Sequence, residues 1–247
     1  MSRTEPIAVF DEQEFERLSE EGYLRLGNLL SGDELAAVRQ RADDIMLGKI
    51  TYEGMTFEQD SETGRYEDRV PKSSGHEVAT LAYRRIDRMY LDPLCLGIMR
   101  RHIFRCITRR LIGERVATYR SMLFNKPAER GTHLPWHRDP SYNGFEMINI
   151  WIALDEATVA NGCMQLAKGS HKTPGEGWLG NEWEPDEAID LEAEPGEAIL
   201  LHSQVVHRSG LNKTTEPRVA FAYAYIDAAV GVGSDGAPLT MIFGGAG

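Results

Sequence analysis

The spacing of hydrophobic residues changes about halfway along the chain, from a helical period to a strand-like alternation. In the first half, apolar residues recur three and four positions apart, which predicts helices. The predicted elements are a helix at 10–20, a short strand at 22–29, a helix at 31–46 and one or two helices at 91–111. Ser31 and Glu34 form a capping-box pattern, and Gly48 and Gly113 lie just beyond two expected helix ends. We therefore predict a mostly helical N-terminal part, about residues 1–113.

The second half consists of short runs of β-branched, aromatic and aliphatic residues separated by turn signals. These runs cover 117–125, 147–154, 163–167, 198–202 and 219–226. Asn161-Gly162 is typical of a hairpin turn, and Pro195-Gly196 precedes the fourth run. Many short strands favour a closed or double-sheet β fold. The chain is thus predicted to be mainly β with flanking α-helices, and its β core covers about 114–228.

Two segments have no sustained period. Residues 51–76 are polar and rich in glycine, and we expect an irregular loop there with at most one strand, either part of a substrate lid or a surface excursion. The glycine-rich tail, 229–247, is expected to be mobile, with 239–243 able to fold back over a pocket. The length of 247 residues fits one domain spanning 1–247.

The net charge of -11 disfavours nucleic acid and anionic membranes as partners, because the surface repels polyanions on average. Five arginines between Arg100 and Arg110 are interpreted as a solvated helix face, with a basic patch as the alternative. The three cysteines lack CxxC spacing, so reduced thiols are expected. Since the N-terminus has no signal-like apolar core and no run is long enough to cross a bilayer, a cytoplasmic protein is expected.

The sequence WHRDP places His137 and Asp139 on the same face of an extended strand, because positions two apart project to the same side. An imidazole and a carboxylate can therefore meet one ion, and a third ligand must come from elsewhere in the chain. His207 in HRSGLN is the candidate, with His202 as an alternative. Two histidines and one carboxylate on one side of an octahedral ion leave positions open for a cosubstrate and dioxygen, as in iron(II) oxygenases.

Arg218 opens the strand-like run VAFAYAYI after the turn-forming KTTEP. An arginine facing the interior of a β fold can bind a carboxylate through paired, charge-assisted hydrogen bonds. Its burial without an anionic partner would be costly, so an inward Arg218 predicts a ligand or an internal acid. The alternative is a surface arginine after a turn.

Several motifs in the same order resemble the phytanoyl-CoA dioxygenase family of iron(II) and 2-oxoglutarate-dependent oxygenases. They are GYLRLGNLLSGDELAAV, SMLFNKP, WHRD, WIALDEATVANGCMQLAKGSHK and PGEAILLHSQVVHRSGLN, followed by Arg218. The resemblance implies a double-stranded β-helix (jelly-roll, cupin-like) core, with Fe(II) bound by His137, Asp139 and His207. It also implies that 2-oxoglutarate is held by a further set of residues, namely Arg218, Ser209, Trp151, Met122 and Arg85.

Two departures from the family pattern bear on function. Arg138 stands where glutamine is common, and it alternates to the opposite face of the strand from the ligands. Asp139 is retained, whereas halogenating relatives have a small residue there, so the resemblance implies a hydroxylase or another oxidative catalyst. The expected substrate is a small-molecule metabolite or natural-product intermediate. The alternatives are an acyl-CoA hydroxylase and a cupin-type metalloenzyme, an isomerase or ring-cleaving enzyme, that works without 2-oxoglutarate. An inward Arg218 would discriminate against the latter.

Overall fold

The computed structural model describes residues 5–129, 131–139, 147–173, 175, 177–180, 183–233 and 236–244. Its helices are α1 (Glu12–Glu21), α2 (Gly32–Met46), α3 (Pro93–Met99) and α4 (His102–Leu111). Its strands are β1 (Tyr23–Asn28), β2 (Thr56–Gln59), β3 (Ser73–Ser74), β4 (Tyr83–Asp87), β5 (Val116–Lys126), β6 (Leu134–His137), β7 (Ile148–Ala153), β8 (Met164–Leu166), β9 (Trp178–Gly180), β10 (Ile189–Leu191), β11 (Glu197–His202), β12 (His207–Ser209), β13 (Arg218–Asp227) and β14 (Thr240–Phe243).

Side-chain caps fix where the helices begin. Asp11 accepts a hydrogen bond from the backbone of Glu14 at 3.0 Å and starts α1. Ser31 and Glu34 form the predicted capping box at the start of α2. Asp92 caps α3 by accepting from the backbone of Cys95. No helix among the described residues is long and apolar enough to cross a membrane.

The strands form two antiparallel sheets. The larger sheet has the order β1-β11-β7-β13-β5-β4-β2-β3, with β14 also paired to β5. The smaller sheet has the order β10-β8-β12-β6-β9. This arrangement is the predicted mainly β fold with flanking helices.

The strand β13 shows how the larger sheet separates two cores. Phe221, Tyr223 and Tyr225 belong to the core shared with the helices. Ala220 and Ala222, on the alternate face, belong to the core between the two sheets. Because the inter-sheet face of β13 carries alanines, it leaves space between the sheets.

The structure corrects several sequence-based expectations. The N-terminal part contains the predicted short strand as β1, but the larger sheet also takes in β4, which was not predicted. The segment 51–76 contains β2 and β3 rather than at most one strand. In the tail, 240–243 pairs with β5 at 116–118 and extends the sheet at that end. Within the predicted tail, residues 234–235 and 245–247 lie outside the described residues.

Asn161-Gly162 does form a turn, but the hairpin prediction is wrong. Asn161 Oδ1 accepts from the backbone of Thr158 at 2.8 Å, and Gly162 has φ +78°. The strands on either side, β7 and β8, lie in different sheets. The turn therefore carries the chain across from one sheet to the other, which local turn chemistry alone does not distinguish from a hairpin.

Candidate active site

The three predicted ligands converge between the two sheets. β6 pairs with β12 so that His137 lies directly opposite His207, with ring centroids 4.1 Å apart. Asp139 follows β6 by two residues, as the strand alternation predicted. One potential ligand atom from each residue lies within 4.8 Å of the others, and all three residues are buried. Histidine and carboxylate donors at this separation can surround one metal ion.

Backbone carbonyls orient both imidazoles. Nδ1 of His137 lies 2.9 Å from the carbonyl oxygen of Pro135, and Nδ1 of His207 lies 3.0 Å from that of Val205. A carbonyl only accepts, so each Nδ1 donates its proton and the neutral ring carries its lone pair on Nε2. Burial, assisted by the neighbouring His207, lowers the pKa of His137 to about 3. His137 is thus a neutral donor near pH 7.

The carboxylate of Asp139 is held from two sides. Arg120 on β5 forms an ion pair with Oδ1, and Asn149 on β7 donates to Oδ2 at 2.7 Å. Gln204 donates to the Asp139 backbone carbonyl at 3.0 Å. Burial alone would raise the pKa of this carboxyl, but the charge of the Arg120 guanidinium holds it below its usual range. Asp139 is therefore an anion with a fixed orientation.

These residues line a cavity of about 330 Å³, a size suited to small ligands. Its wall on the larger sheet includes a row in which Met122 on β5 and Trp151 on β7 flank Ala222 on β13. Ala222 fills little of that row, so the two larger side chains border an open space. The neighbouring Phe124 adds a further apolar surface.

Arg218 lies in the same cavity, at the start of β13, with 4% of its surface exposed. Its Nε has no hydrogen-bonding partner among the described residues, and its guanidinium lies 5.6 Å from the ring of Trp151. Burial lowers the pKa of Arg218 to about 10. A buried cation with an unused donor is costly unless a ligand pairs with it. Arg218 thus faces the interior, which was one of the two sequence-based alternatives, and is not a surface arginine.

The remaining predicted cosubstrate residues, Ser209, Trp151, Met122 and Arg85, also line the cavity. Arg85 differs from the others because its Nε and Nη2 both donate to Asp87 Oδ1, at 2.8 and 2.6 Å.

Arg138 donates from Nη1 to the backbone carbonyls of Ser170 and Gln204, at 2.9 and 2.6 Å, and so is held away from the ligands. The alternative ligand His202 ends β11 in the larger sheet, outside the metal cluster.

Arg120, Lys126 and Asn149 are among the polar residues of the site that sequence reasoning missed. Arg120 and Lys126 lie two residues before and four after Met122 on β5, and Asn149 lies two before Trp151 on β7. Residues separated by an even number share one face of a strand. Extending the alternation from the two predicted lining residues would have found all three.

Two imidazoles and one carboxylate around a common point, with an arginine in the same cavity, match the donor pattern of a facial-triad metal site within a jelly roll. A family model described as Phytanoyl-CoA dioxygenase (PhyH) matches residues 18–220. The chain belongs to this family. The predicted family and fold class are thereby confirmed.

Individual relatives agree with this assignment. Phytanoyl-CoA dioxygenase domain-containing protein 1 of Bos taurus is 24% identical over 268 residues, covering 90% of this chain and 92% of its own. A probable alpha-ketoglutarate-dependent hypophosphite dioxygenase of Stutzerimonas stutzeri is 28% identical over 243 residues, covering 89% of this chain and 80% of its own. The crystal structure of EctD from S. alaskensis with 2-oxoglutarate and 5-hydroxyectoine shares the fold, with TM-score 0.67 at 20% identity over 92% of this chain and 80% of that one.

Proposed function

We propose that this oxygenase holds iron(II) at His137, Asp139 and His207, binds 2-oxoglutarate against Arg218, and hydroxylates a small-molecule metabolite or natural-product intermediate. The oxygenase class follows from membership of the phytanoyl-CoA dioxygenase family. The same fold carries iron in one EctD structure and 2-oxoglutarate in another.

The residues present fit both groups. Two imidazoles and one carboxylate are the donor set that non-haem iron(II) oxygenases use, while structural zinc sites commonly have four nitrogen or sulfur ligands. When bound, iron(II) and 2-oxoglutarate activate dioxygen, which supplies the oxidising power for attack on a substrate carbon. Ser209 and Trp151 line the wall of the cavity between the metal ligands and Arg218. The apolar surfaces of Met122 and Trp151 limit the water that reaches the cosubstrate.

The single observation that carries the proposal is the buried, incompletely paired Arg218. A metalloenzyme that works without 2-oxoglutarate has no need of a cation at this position, and burying one there would destabilise the fold. A dicarboxylate satisfies the unused donors through charge-assisted hydrogen bonds. The geometry therefore favours the 2-oxoglutarate-dependent oxygenase over the cosubstrate-independent cupin.

The acyl-CoA alternative would draw support from an unpaired basic patch, and the arginines between Arg100 and Arg110 do not supply one. Each has an intramolecular contact: Arg100 with the backbone of Met241, Arg101 with Glu34, Arg105 with Phe243, Arg109 with Glu114 and Arg110 with Glu12. The segment behaves as a solvated, ion-paired helix face. This supports a smaller substrate than a coenzyme A thioester.

The test is an anaerobic titration of iron(II)-loaded protein with 2-oxoglutarate, followed by the weak visible charge-transfer band. The wild type should develop the band, His207→Ala should lose it, and Arg218→Ala should need at least about tenfold more 2-oxoglutarate, since a charged hydrogen bond contributes about 1.5–3 kcal/mol. Arg115→Ala is the matched control, because Arg115 is an exposed arginine outside the cavity.

Circular dichroism of each variant establishes that it is folded. A folded, iron-loaded wild type without the band would overturn the proposal and favour the cosubstrate-independent metalloenzyme. Succinate release in the presence of candidate metabolites would then identify substrates for a protein that passes the first test.

A further inference from the structure

A second buried cation lies beside Arg218 at the end of the cavity. Lys126, the last residue of β5, is the direct register partner of Arg218 on β13. Lys126 is 6% exposed and lines the same cavity. Among the described residues, no carboxylate lies within ion-pair distance of either side chain. Two adjacent buried cations without a counter-anion repel each other and create a site for a strong anion.

The ammonium group of Lys126 has only part of its hydrogen-bonding capacity used. Nζ donates to the carbonyl oxygen of Thr132 at 2.7 Å, and an ammonium has three donors. The remaining donors cannot be assigned to Asp60, the acidic group whose charge acts on Lys126. Asp60 instead accepts from the Thr132 backbone and hydroxyl and from the Ser61 backbone.

Charged groups on three sides determine the protonation of Lys126. Burial lowers the pKa of Lys126 well below its usual range, and the positive charges of Arg218 on β13 and Arg84 on β4 lower it further, while Asp60 opposes them. An anion that bound between Lys126 and Arg218 would reverse this effect, because it would stabilise the charged amine.

We propose that Lys126 is a second cationic partner for the distal carboxylate of 2-oxoglutarate. The proposal rests on the proposed function and adds a residue to it. The carboxylate is thereby bound by two cations, Arg218 and Lys126. Arg85 is a weaker candidate for this position, since Asp87 already engages its guanidinium through two donors.

The test compares two 2-oxo acids on two variants. 2-Oxobutyrate has the same 2-oxo acid end as 2-oxoglutarate but lacks the distal carboxylate. Binding of both to Mn(II)-loaded protein is measured by calorimetry for the wild type, Lys126→Met and Lys126→Arg. Lys49→Met is the matched control, because Lys49 is an exposed lysine paired with Asp44.

We expect Lys126→Met to weaken 2-oxoglutarate binding by about tenfold or more, which corresponds to loss of one charged hydrogen bond. Its affinity for 2-oxobutyrate should stay within about twofold of the wild type, because that ligand does not reach Lys126. Lys126→Arg should retain most of the 2-oxoglutarate affinity, and Lys49→Met should match the wild type with both ligands.

If Lys126→Met does not fold, Lys126→Arg still tests the proposal, because it keeps the charge and should keep the preference for 2-oxoglutarate over 2-oxobutyrate.

Failure of this inference differs from failure of the proposed function. A folded, metal-loaded wild type that binds neither acid overturns the proposed function. A wild type that binds 2-oxoglutarate, with Lys126→Met weakening both acids equally or neither, overturns the role of Lys126.

Discussion

Arg120 forms an ion pair with Asp139 across the space between the two sheets. The arginine lies on β5 of the larger sheet, and the aspartate follows β6 of the smaller one. Side-chain exposure is 22% for Arg120 and 12% for Asp139, so the pair is largely shielded from solvent. Besides fixing one oxygen of a candidate metal ligand, the pair therefore connects the two sheets beside the candidate metal ligands.

We expect Arg120→Met to destabilise the metal-free protein by about 3 kcal/mol, because removing one partner leaves the other charge buried and uncompensated. A bound divalent cation would supply positive charge to Asp139 in place of the guanidinium. The stabilisation on adding Mn(II) should therefore be larger for the variant than for the wild type.

Urea unfolding with and without Mn(II) measures both effects for Arg120→Met. Arg115→Met is the control, since Arg115 is exposed and outside the cavity. Equal metal-free stabilities of Arg120→Met and the wild type would show that the ion pair contributes nothing to the fold.

Ala222 controls the volume of the cavity. It lies between Met122 and Trp151 in the register of β5, β13 and β7. Ala222→Leu should weaken 2-oxoglutarate binding by at least about tenfold, because the larger side chain occupies the space between those two walls. The cost in stability should stay at about 1–3 kcal/mol, the usual range for added volume in a core.

Calorimetric titration of the Mn(II)-loaded protein with 2-oxoglutarate tests Ala222→Leu, and Ala160→Leu at an exposed turn is its control. Unchanged affinity in a folded Ala222→Leu variant would mean that the cosubstrate does not occupy this part of the cavity.

Much of the site could be predicted because strand alternation acts over short distances. His137 and Asp139 lie two residues apart, and local geometry alone places them together. His207 required a pairing between β12 and β6 of residues 70 positions apart, and only the context HRSGLN indicated it. The capping box at Ser31 was likewise fixed by local chemistry.

The strands and ion pairs that could not be predicted depend on long-range contacts. The segment 51–76 carries few apolar residues, yet β2 forms because β4 offers an edge for hydrogen bonding. β3 then pairs with the outer edge of β2. The tail forms β14 for the same reason, on β5. Arg85 forms an ion pair with Asp87, which is close in sequence. Arg120 instead forms an ion pair with Asp139, on the side of the other sheet. Polarity alone could not reveal which arginine would be paired by which acid.

His137 should make the metal-free protein sensitive to mild acid. Its pKa of about 3 in the folded state lies below the value of 6.5 for an exposed histidine, so the unfolded chain takes up the proton first. Stability contributed by the neutral imidazole is complete above about pH 6.5 and is lost as the pH falls toward about 3, at about 1.4 kcal/mol per pH unit for one proton. The depressed pKa of Asp139 acts only at lower pH, below the ordinary aspartate value of about 3.9.

Urea unfolding of chelator-treated protein at several pH values between about 4 and 7 isolates the contribution of His137. His137→Gln should show a shallower loss of stability than the wild type, by close to one proton, because its side chain does not titrate. His102→Gln, at an exposed position on α4, should keep the wild-type slope. Parallel slopes for His137→Gln and the wild type would show that His137 is protonated as readily in the folded protein as in the unfolded chain, and it would then compete poorly as a metal ligand at mildly acidic pH.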